Sequence, residues 1–207
     1  MRKGVSMSGP FKVTILFLIL LGIVLLSVIA GGFSSLYRAE GRVESAKVLL
    51  MDTCRERLAL LPSLTTFQES KSIRSGSATW DQDIEITKQM ITKLTNQKEP
   101  LGENQTKVFE TLQNNIGLAI KDTLLKLDAE YSQEKNRKFE LFKKDLSKNQ
   151  DELFFGKQKY NYEVDYFNRR VKTFPLFIVA KLFNFDGIVY YRLSAHSFLP
   201  YNKMAEK

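Results

Sequence analysis

The chain has 207 residues, of which 43% are hydrophobic and 26% are charged, enough for a buried core and unlike a wholly disordered protein. Its single cysteine, Cys54, excludes an intramolecular disulfide and any multi-cysteine metal site. Its single histidine, His196, argues against histidine-rich zinc sites and against Ser-His or Cys-His nucleophiles. We expect Cys54 to be a small buried hydrophobe on a helix.

The net charge is +8, and its distribution points to a membrane rather than to nucleic acid. Half of the excess lies in residues 1–39, which contain no acid and four basic residues: Arg2, Lys3, Lys12 and Arg38. The rest of the chain is only mildly basic and has no concentrated Lys/Arg stripe with interleaved aromatics, so we expect no nucleic-acid binding.

Residues 1–12 form a basic N-terminal tail, and residues 13–33 form an apolar run of 21 residues without a charge. As a helix, this run is roughly 30 Å long, the thickness of a bilayer's hydrocarbon core. It therefore predicts a transmembrane helix. Ala30-Gly31-Gly32 would also suit a signal peptidase, but the run exceeds the ~7–15 apolar residues of a signal peptide, so we favour a retained anchor.

Basic residues flank both ends of this run. Arg2, Lys3 and Lys12 favour a cytoplasmic N-terminus, and they are matched by Arg38, Arg42 and Lys47 on the other side. We lean towards a body outside the cytoplasm.

Residues 34–191 show apolar residues at spacings of three and four, which predicts long helices packed as an elongated antiparallel bundle, an all-α fold. Pro62 interrupts the first stripe, so that helix either kinks or divides in two. Only Ile188–Tyr191 suits a strand, and residues 192–207 are predicted to be a flexible tail. The stripes are, in chain order, Val43, Ala46, Leu50, Cys54, Leu58, Leu61 and Leu64; Trp80, Ile84, Thr87, Ile91 and Leu94; Phe109, Leu112, Ile116, Ile120, Leu124, Leu127 and Tyr131; Phe139, Phe142, Leu146, Leu153, Tyr160, Val164, Phe167, Val171 and Phe174.

The last stripe ends at Pro175, where the chain is expected to turn because proline lacks a donor and disfavours helical geometry in the residue before it. The apolar residues that follow are too few to span a bilayer. They predict a short helix that folds back onto the bundle and ends at Asn184 in the left-handed conformation. A membrane-surface role for this helix is the alternative.

The C-terminal motifs resemble those of the LemA family of bacterial membrane proteins. The family pattern appears here as Tyr160-Asn161, Val164, Phe167-Asn168, Val171, Phe174-Pro175, Ala180, Asn184-Phe185 and Tyr190-Tyr191. A second match surrounds Pro62, where Arg57, Leu60, Leu61 and Leu64 agree with the family. The match is specific at 153–191 and moderate at 46–64, and between them only the helical pattern is recognisable.

This resemblance implies a divergent member with an N-terminal anchor and a long-helix bundle, placed in the bacterial inner membrane. It implies no enzymatic activity, and it associates the chain with envelope processes or with organelle membranes. The chain departs from the family at Ala59, Ser63, Phe177 and Asn184.

Catalytic and cofactor motifs are missing from the sequence, which has no HExxH, CxxC, GxSxG or Gly-rich phosphate loop. Asp81, Asp83 and Glu85 are interpreted as a solvated helix start rather than a cation site. The carboxylates of Asp151, Glu152, Glu163 and Asp165 are interpreted as exposed helix charges. We therefore expect no catalytic, cofactor-binding or metal-ligating residue, no cofactor and no enzyme.

Two further features suggest contacts. Asn161 and Asn168 lie one heptad apart, where buried Asn either fixes register and partner choice or makes a helix–helix hydrogen bond. A basic cluster could contact anionic lipid or an acidic partner, although a solvated face with acidic neighbours is the alternative. Its members are Lys135, Arg137, Lys138, Lys143, Lys144 and Lys148.

These inferences favour a single-pass, membrane-anchored, non-catalytic helical scaffold. Its expected partners are the bilayer, through residues 13–33, and membrane or envelope proteins, with self-association as a further possibility. The alternatives are a secreted helical bundle released by signal-peptide cleavage and a membrane-remodelling or lipid-surface-binding protein.

Overall fold

A computed structural model describes residues 9–72, 80–97, 99–131 and 136–192, with side chains from residue 13 onward. Five helices occupy these residues, and no strand is present among them, which confirms the all-α prediction. The helices are α1 (Gly9–Ser70), α2 (Trp80–Asn96), α3 (Glu103–Tyr131), α4 (Arg137–Lys172) and α5 (Leu176–Leu182). The predicted tails at 1–12 and 192–207 lie almost wholly outside the described residues.

The chain divides into two compact units, and α1 and α4 contribute to both. The first unit comprises Met1–Glu40 and Phe167–Gly187. The second unit comprises Gly41–Tyr166 and Ile188–Lys207. The predicted bundle 34–191 thus contributes to both units.

In the second unit, α1 and α4 run antiparallel. Asn149 of α4 donates its side-chain amide to the Thr53 carbonyl at 3.1 Å, and further along α1 the Phe67 ring packs on Phe139 with centroids 5.2 Å apart. Gly156 lies beside Leu50, since a Cβ there would be 3.6 Å from the Leu50 Cα, an ordinary contact distance. Residues later in α1 therefore contact residues earlier in α4, which shows that the two helices run in opposite directions.

Side-chain contacts show that α2 and α3 also run antiparallel to the helices that they contact. Lys47 at the start of this part of α1 bonds the Glu99 carbonyl after α2, at 3.0 Å. Asn115 of α3 bonds Asp83 at 3.4 Å, and Lys143 of α4 pairs with Asp128 of α3 at 3.0 Å. The second unit is therefore an up-down-up-down arrangement of four helical segments.

The apolar stripes predicted from the sequence form the core. Every member of the first and third stripes is buried, and in the second stripe only Ile84 is partly exposed. The last stripe is buried from Phe139 to Phe167, but Val171 is only partly buried and Phe174 is 74% exposed. The prediction that Phe174 belongs to the buried face is wrong, because α4 ends at Lys172 and the turn leaves Phe174 outside the packed surface.

Pro62 lies inside α1, which continues on both sides, so the helix does not divide in two. Its ring is exposed, while the neighbouring Leu61 and Leu64 are buried and hold this part of α1 in the core. The hydroxyl of Thr66 donates to the Pro62 carbonyl at 3.0 Å. Packing of the apolar stripe thus outweighs the missing backbone donor.

The segment Ile188–Tyr191, suggested as a strand, has no regular secondary structure. Its partners are side chains of α4, described below.

Candidate functional site

In the first unit, α1 is long and apolar enough to cross a membrane, with a mean hydropathy of 3.1 in its most apolar window and none of that window buried within the protein. Side chains from Val13 to Leu26 point outward in every direction, as expected for a helix whose surroundings are acyl chains. Burial within this unit begins at Gly32 and Leu36.

The short helix α5 packs on α1 at this point. Val179 and Ala180 are buried against Leu36, and Phe33 meets the rings of Phe183 and Phe185 at 4.8 and 5.8 Å. The predicted short helix is thus confirmed, and within the first unit it packs on the end of the apolar part of α1. That it folds back onto the bundle stays a prediction.

Gly32 allows α5 to approach this closely. A Cβ at Gly32 would lie 2.8 Å from a Val179 methyl carbon, whereas a Cβ at Gly31 would meet nothing within 4 Å. The glycine at position 32 therefore has a packing role that its neighbour lacks.

Two turns fix the ends of α5. The peptide bond between Phe174 and Pro175 is cis, and α5 begins directly afterwards. Asn184 has φ 56°, and the Phe185 amide donates to the Ala180 carbonyl at 2.9 Å, the 6→1 bond of a Schellman-type helix end. The predicted left-handed Asn184 is confirmed.

The exposed face of α5 and of the preceding turn is almost entirely apolar. Phe174 is 74% exposed and Leu182 is 60% exposed, and Phe177, Ile178 and Phe183 are also exposed. Lys172 and Lys181 are the exposed basic residues of this region. A solvent-facing helix side normally carries polar groups, so this face is unusual for a surface in water.

In the second unit, Tyr160 and Asn161 hold residues 188–192, which we call the C-terminal segment, on α4. Asn161 makes both possible amide bonds to the Tyr191 backbone, donating to its carbonyl and accepting from its N–H at 2.8 Å each. The Tyr160 hydroxyl donates to the Val189 carbonyl at 3.1 Å. The predicted helix–helix hydrogen bond of Asn161 is wrong, because its amide bonds the backbone of Tyr191, outside any helix. The predicted role in register and partner choice stays a prediction.

Other motif residues are distributed between the units. Val164 is buried in the second unit. In the first, Phe167 packs on Phe185 at 6.4 Å, and a Cβ at Gly187 would lie 3.4 Å from the side-chain oxygen of Asn168. Most residues of the motif therefore serve packing or hold the C-terminal segment, whereas Phe174 and Asn184 are exposed.

A buried polar cluster lies beneath the C-terminal segment. Tyr191 is fully buried, its ring lies 5.8 Å from that of Phe109, and it interacts electrostatically with Cys54 and Arg57. Burial raises the pKa of the Cys54 thiol to about 12, against the opposing effect of Arg57, so this cysteine is an inert core residue as predicted. Burial also lowers the pKa of Arg57 and raises that of Tyr191.

Arg57 and Lys47 are buried cations that the stripe analysis missed, because both interrupt an otherwise apolar helix face. Within the described residues, one terminal guanidinium nitrogen of Arg57 has no hydrogen-bond partner. Lys47 binds the carbonyls of Gln97 and Glu99 and pairs with Glu44 at 2.9 Å. Lys47 therefore satisfies carbonyl groups at the end of α2.

Glu163 corrects another interpretation. It is buried and pairs with Arg42 at 3.6 Å and with Lys159 at 2.7 Å, so it is not an exposed helix charge. Asp165 accepts a hydrogen bond from the Tyr190 hydroxyl at 3.2 Å. Lys159 lies four residues from Glu163 on the same helix, whereas Arg42 and Tyr190 come from distant positions in the sequence.

The basic cluster is partly neutralised. Lys143 pairs with Asp128 and Glu140 at 3.0 and 2.7 Å, and Lys148 pairs with Glu152 at 3.3 Å. Arg137, Lys138 and Lys144 are exposed, and Lys135 lies outside the described residues.

Between α1 and α4, the second unit has a groove of about 430 Å³ that we call the acidic groove. Its walls carry two apolar side chains and four carboxylates: Leu49, Phe155, Asp52, Glu56, Asp151 and Glu152. Asp52 pairs with Arg55 and Glu152 with Lys148, whereas Glu56 and Asp151 form no ion pair within the part of the chain that the structure describes. Among the described residues, no three or more His, Cys, Asp or Glu side chains are grouped so that they could hold a metal ion.

Comparisons with known proteins identify the family. The family model of the LemA family matches residues 77–199. No curated protein and no solved structure matches the chain. The match includes α2 and α3, where only helical periodicity was recognised from the sequence, and it does not include the weaker motif at 46–64. Because the matched residues make up more than half of the chain, the chain belongs to the LemA family.

Proposed function

We propose that this protein is a non-catalytic, single-pass membrane-anchored scaffold whose helical bundle binds a partner protein. In this proposal, the apolar part of α1 spans the bacterial inner membrane and the second unit lies outside the cytoplasm. The acidic groove is the observation that carries the scaffold role. Its expected occupant is a basic amphipathic segment of another protein chain.

The chemistry of the groove supports this choice of partner. Phe155 is 62% exposed and Leu49 is also exposed, so an apolar side chain entering the groove would remove both from water. Glu56 and Asp151 would pair with lysine or arginine on the flanks of the same segment. Such charges favour encounter with the correct partner and disfavour acidic ones.

Site-specific photocrosslinking in native membranes tests the proposal. A photoreactive phenylalanine analogue replaces Phe155, and the control places it at Leu118, an exposed residue of α3. We expect a discrete adduct from position 155 and none from position 118. A product of twice the chain mass would identify a second copy as the partner.

A charge-reversal variant is the second part of the crosslinking experiment. The double change Glu56→Lys and Asp151→Lys should abolish the adduct at position 155, because it repels a basic segment. Identical crosslinking from both positions, or none from position 155, would contradict the proposal.

The proposed topology has its own test. A cysteine replaces exposed Lys138 in a chain that carries Cys54→Ala, and it is labelled with a membrane-impermeant maleimide in intact cells. Labelling without lysis supports a body outside the cytoplasm, and labelling only after lysis contradicts it.

A further inference from the structure

We propose that α5 and the turn before it insert into the interfacial layer of the bilayer that the apolar part of α1 spans, giving the protein a second attachment to lipid. The partner is a lipid surface rather than another protein. This proposal is independent of the acidic groove and of any protein that the groove binds.

The first argument is depth within the first unit. The apolar run of α1 ends at Phe33, the next charge is Arg38, and α5 packs on Gly32 and Leu36 at that end. If residues 13–33 cross the hydrocarbon core, a helix held against their last turn lies at the boundary between acyl chains and headgroups. The apolar surface of α1 continues into that of α5, so the lipid that surrounds α1 would also contact α5.

The second argument is the direction of the side chains. Only Val179 and Ala180 of α5 are buried by the protein, whereas Phe177, Ile178 and Leu182 are exposed. Phe174 adds a ring to the same region, 6.4 Å from that of Phe177. An interfacial helix has this composition, with large apolar residues on the face opposite its protein contact.

The third argument is charge. Residues 167–187 contain four basic residues and a single acid, Asp186. The Lys181 ammonium lies 5.9 Å from the Phe177 ring centroid. A lysine next to an apolar ring can lay its stem on apolar surface and extend its charged end to the headgroups. Arg170 instead bonds the Ser35 hydroxyl at 2.5 Å and ties this region to α1. Lys172 and Lys181 are thus available to anionic headgroups.

Tryptophan fluorescence in the full chain tests the insertion. Trp80→Phe removes the native tryptophan, and single tryptophans then replace Phe174, Leu182 or, as the control, exposed Leu118 of the second unit. Each variant is reconstituted in vesicles of phosphatidylcholine and phosphatidylglycerol whose acyl chains carry bromine near the headgroup. We expect a blue shift and loss of most emission at positions 174 and 182, and little change at 118.

A second readout applies if Trp80→Phe prevents folding, since Trp80 is buried. Leu182→Cys is labelled with an environment-sensitive fluorophore in the chain that retains Trp80, where buried Cys54 does not compete for the label. A nonpolar emission spectrum in the same vesicles supports the proposal. Water-like, unquenched emission at 174 and 182, or quenching at 118 as strong as theirs, overturns it.

Discussion

The two units of the chain use apolar side chains in opposite ways. In the second unit, stripes such as Phe109, Leu127 and Leu153 lie inward, and each helical segment buries them against its neighbours. In the first unit, Leu16, Leu182 and their neighbours lie outward although the chain there is equally helical. Helix propensity is thus common to both units, and the difference lies in the direction of the apolar side chains, inward in one unit and outward in the other.

The largest expected effect comes from removing matched leucines. Leu127→Ala should lower the free energy of unfolding by about 2–5 kcal/mol, because Leu127 is fully buried. Leu182→Ala should change it little, since Leu182 is 60% exposed. Chemical denaturation of the full chain in detergent measures both, and an equal loss would mean that protein covers Leu182.

The glycine pair sharpens the comparison within the first unit. Gly32→Val should displace α5 at a cost of about 1–3 kcal/mol, because the new side chain collides with Val179. Gly31→Val is the control, with open space around its Cβ position. Hydrogen exchange at the Phe183 and Phe185 amides should accelerate only in the first variant; equal exchange in both would show that α5 does not rest on Gly32.

Alkaline pH should destabilise the second unit through Tyr191. Burial raises its pKa above the ordinary value of about 10, so the native phenol keeps a proton that the unfolded chain releases. The stability that it contributes is complete below pH ~10 and is lost as the pH rises further, at about 1.4 kcal/mol per pH unit.

Replacing Tyr191 checks the sign of this dependence. Above pH ~10, the free energy of unfolding of Tyr191→Phe should fall less steeply than that of the unmodified protein. The difference between the two slopes should be about 1.4 kcal/mol per pH unit. Its hydroxyl has no hydrogen-bond partner within the described chain, so the change should cost little at neutral pH. Tyr37→Phe, at an exposed position of the first unit, should leave the slope unchanged.

Replacing Arg57 should have the smallest effect on the free energy of unfolding, and one replacement should increase stability rather than decrease it. Arg57→Met should raise the free energy of unfolding by about 1 kcal/mol, because it removes a buried charge while retaining much of the apolar stem. Arg57→Ala should lower it by leaving a cavity. A marked loss in the Met variant would indicate that an acidic group or a bound anion compensates Arg57.

Periodicity predicted the helices because burial repeats every three to four residues, from Val43 to Leu64 and from Phe109 to Tyr131. Asparagine at position 184 likewise predicted a helix end from local backbone preference alone. Long-range polar contacts were not predictable, since nothing near Asn161, Lys47 or Glu163 in the sequence specifies which distant group it meets. The acidic groove was missed for the same reason, because its walls come from two helices about a hundred residues apart.

Alkaline carbonate extraction of native membranes tests the central claim most directly, namely that the outward-facing apolar residues of the first unit are embedded in lipid. We predict that the full chain stays in the membrane pellet, because residues 13–33 cross the hydrocarbon core. Complete release of the intact chain into the carbonate supernatant would contradict the account.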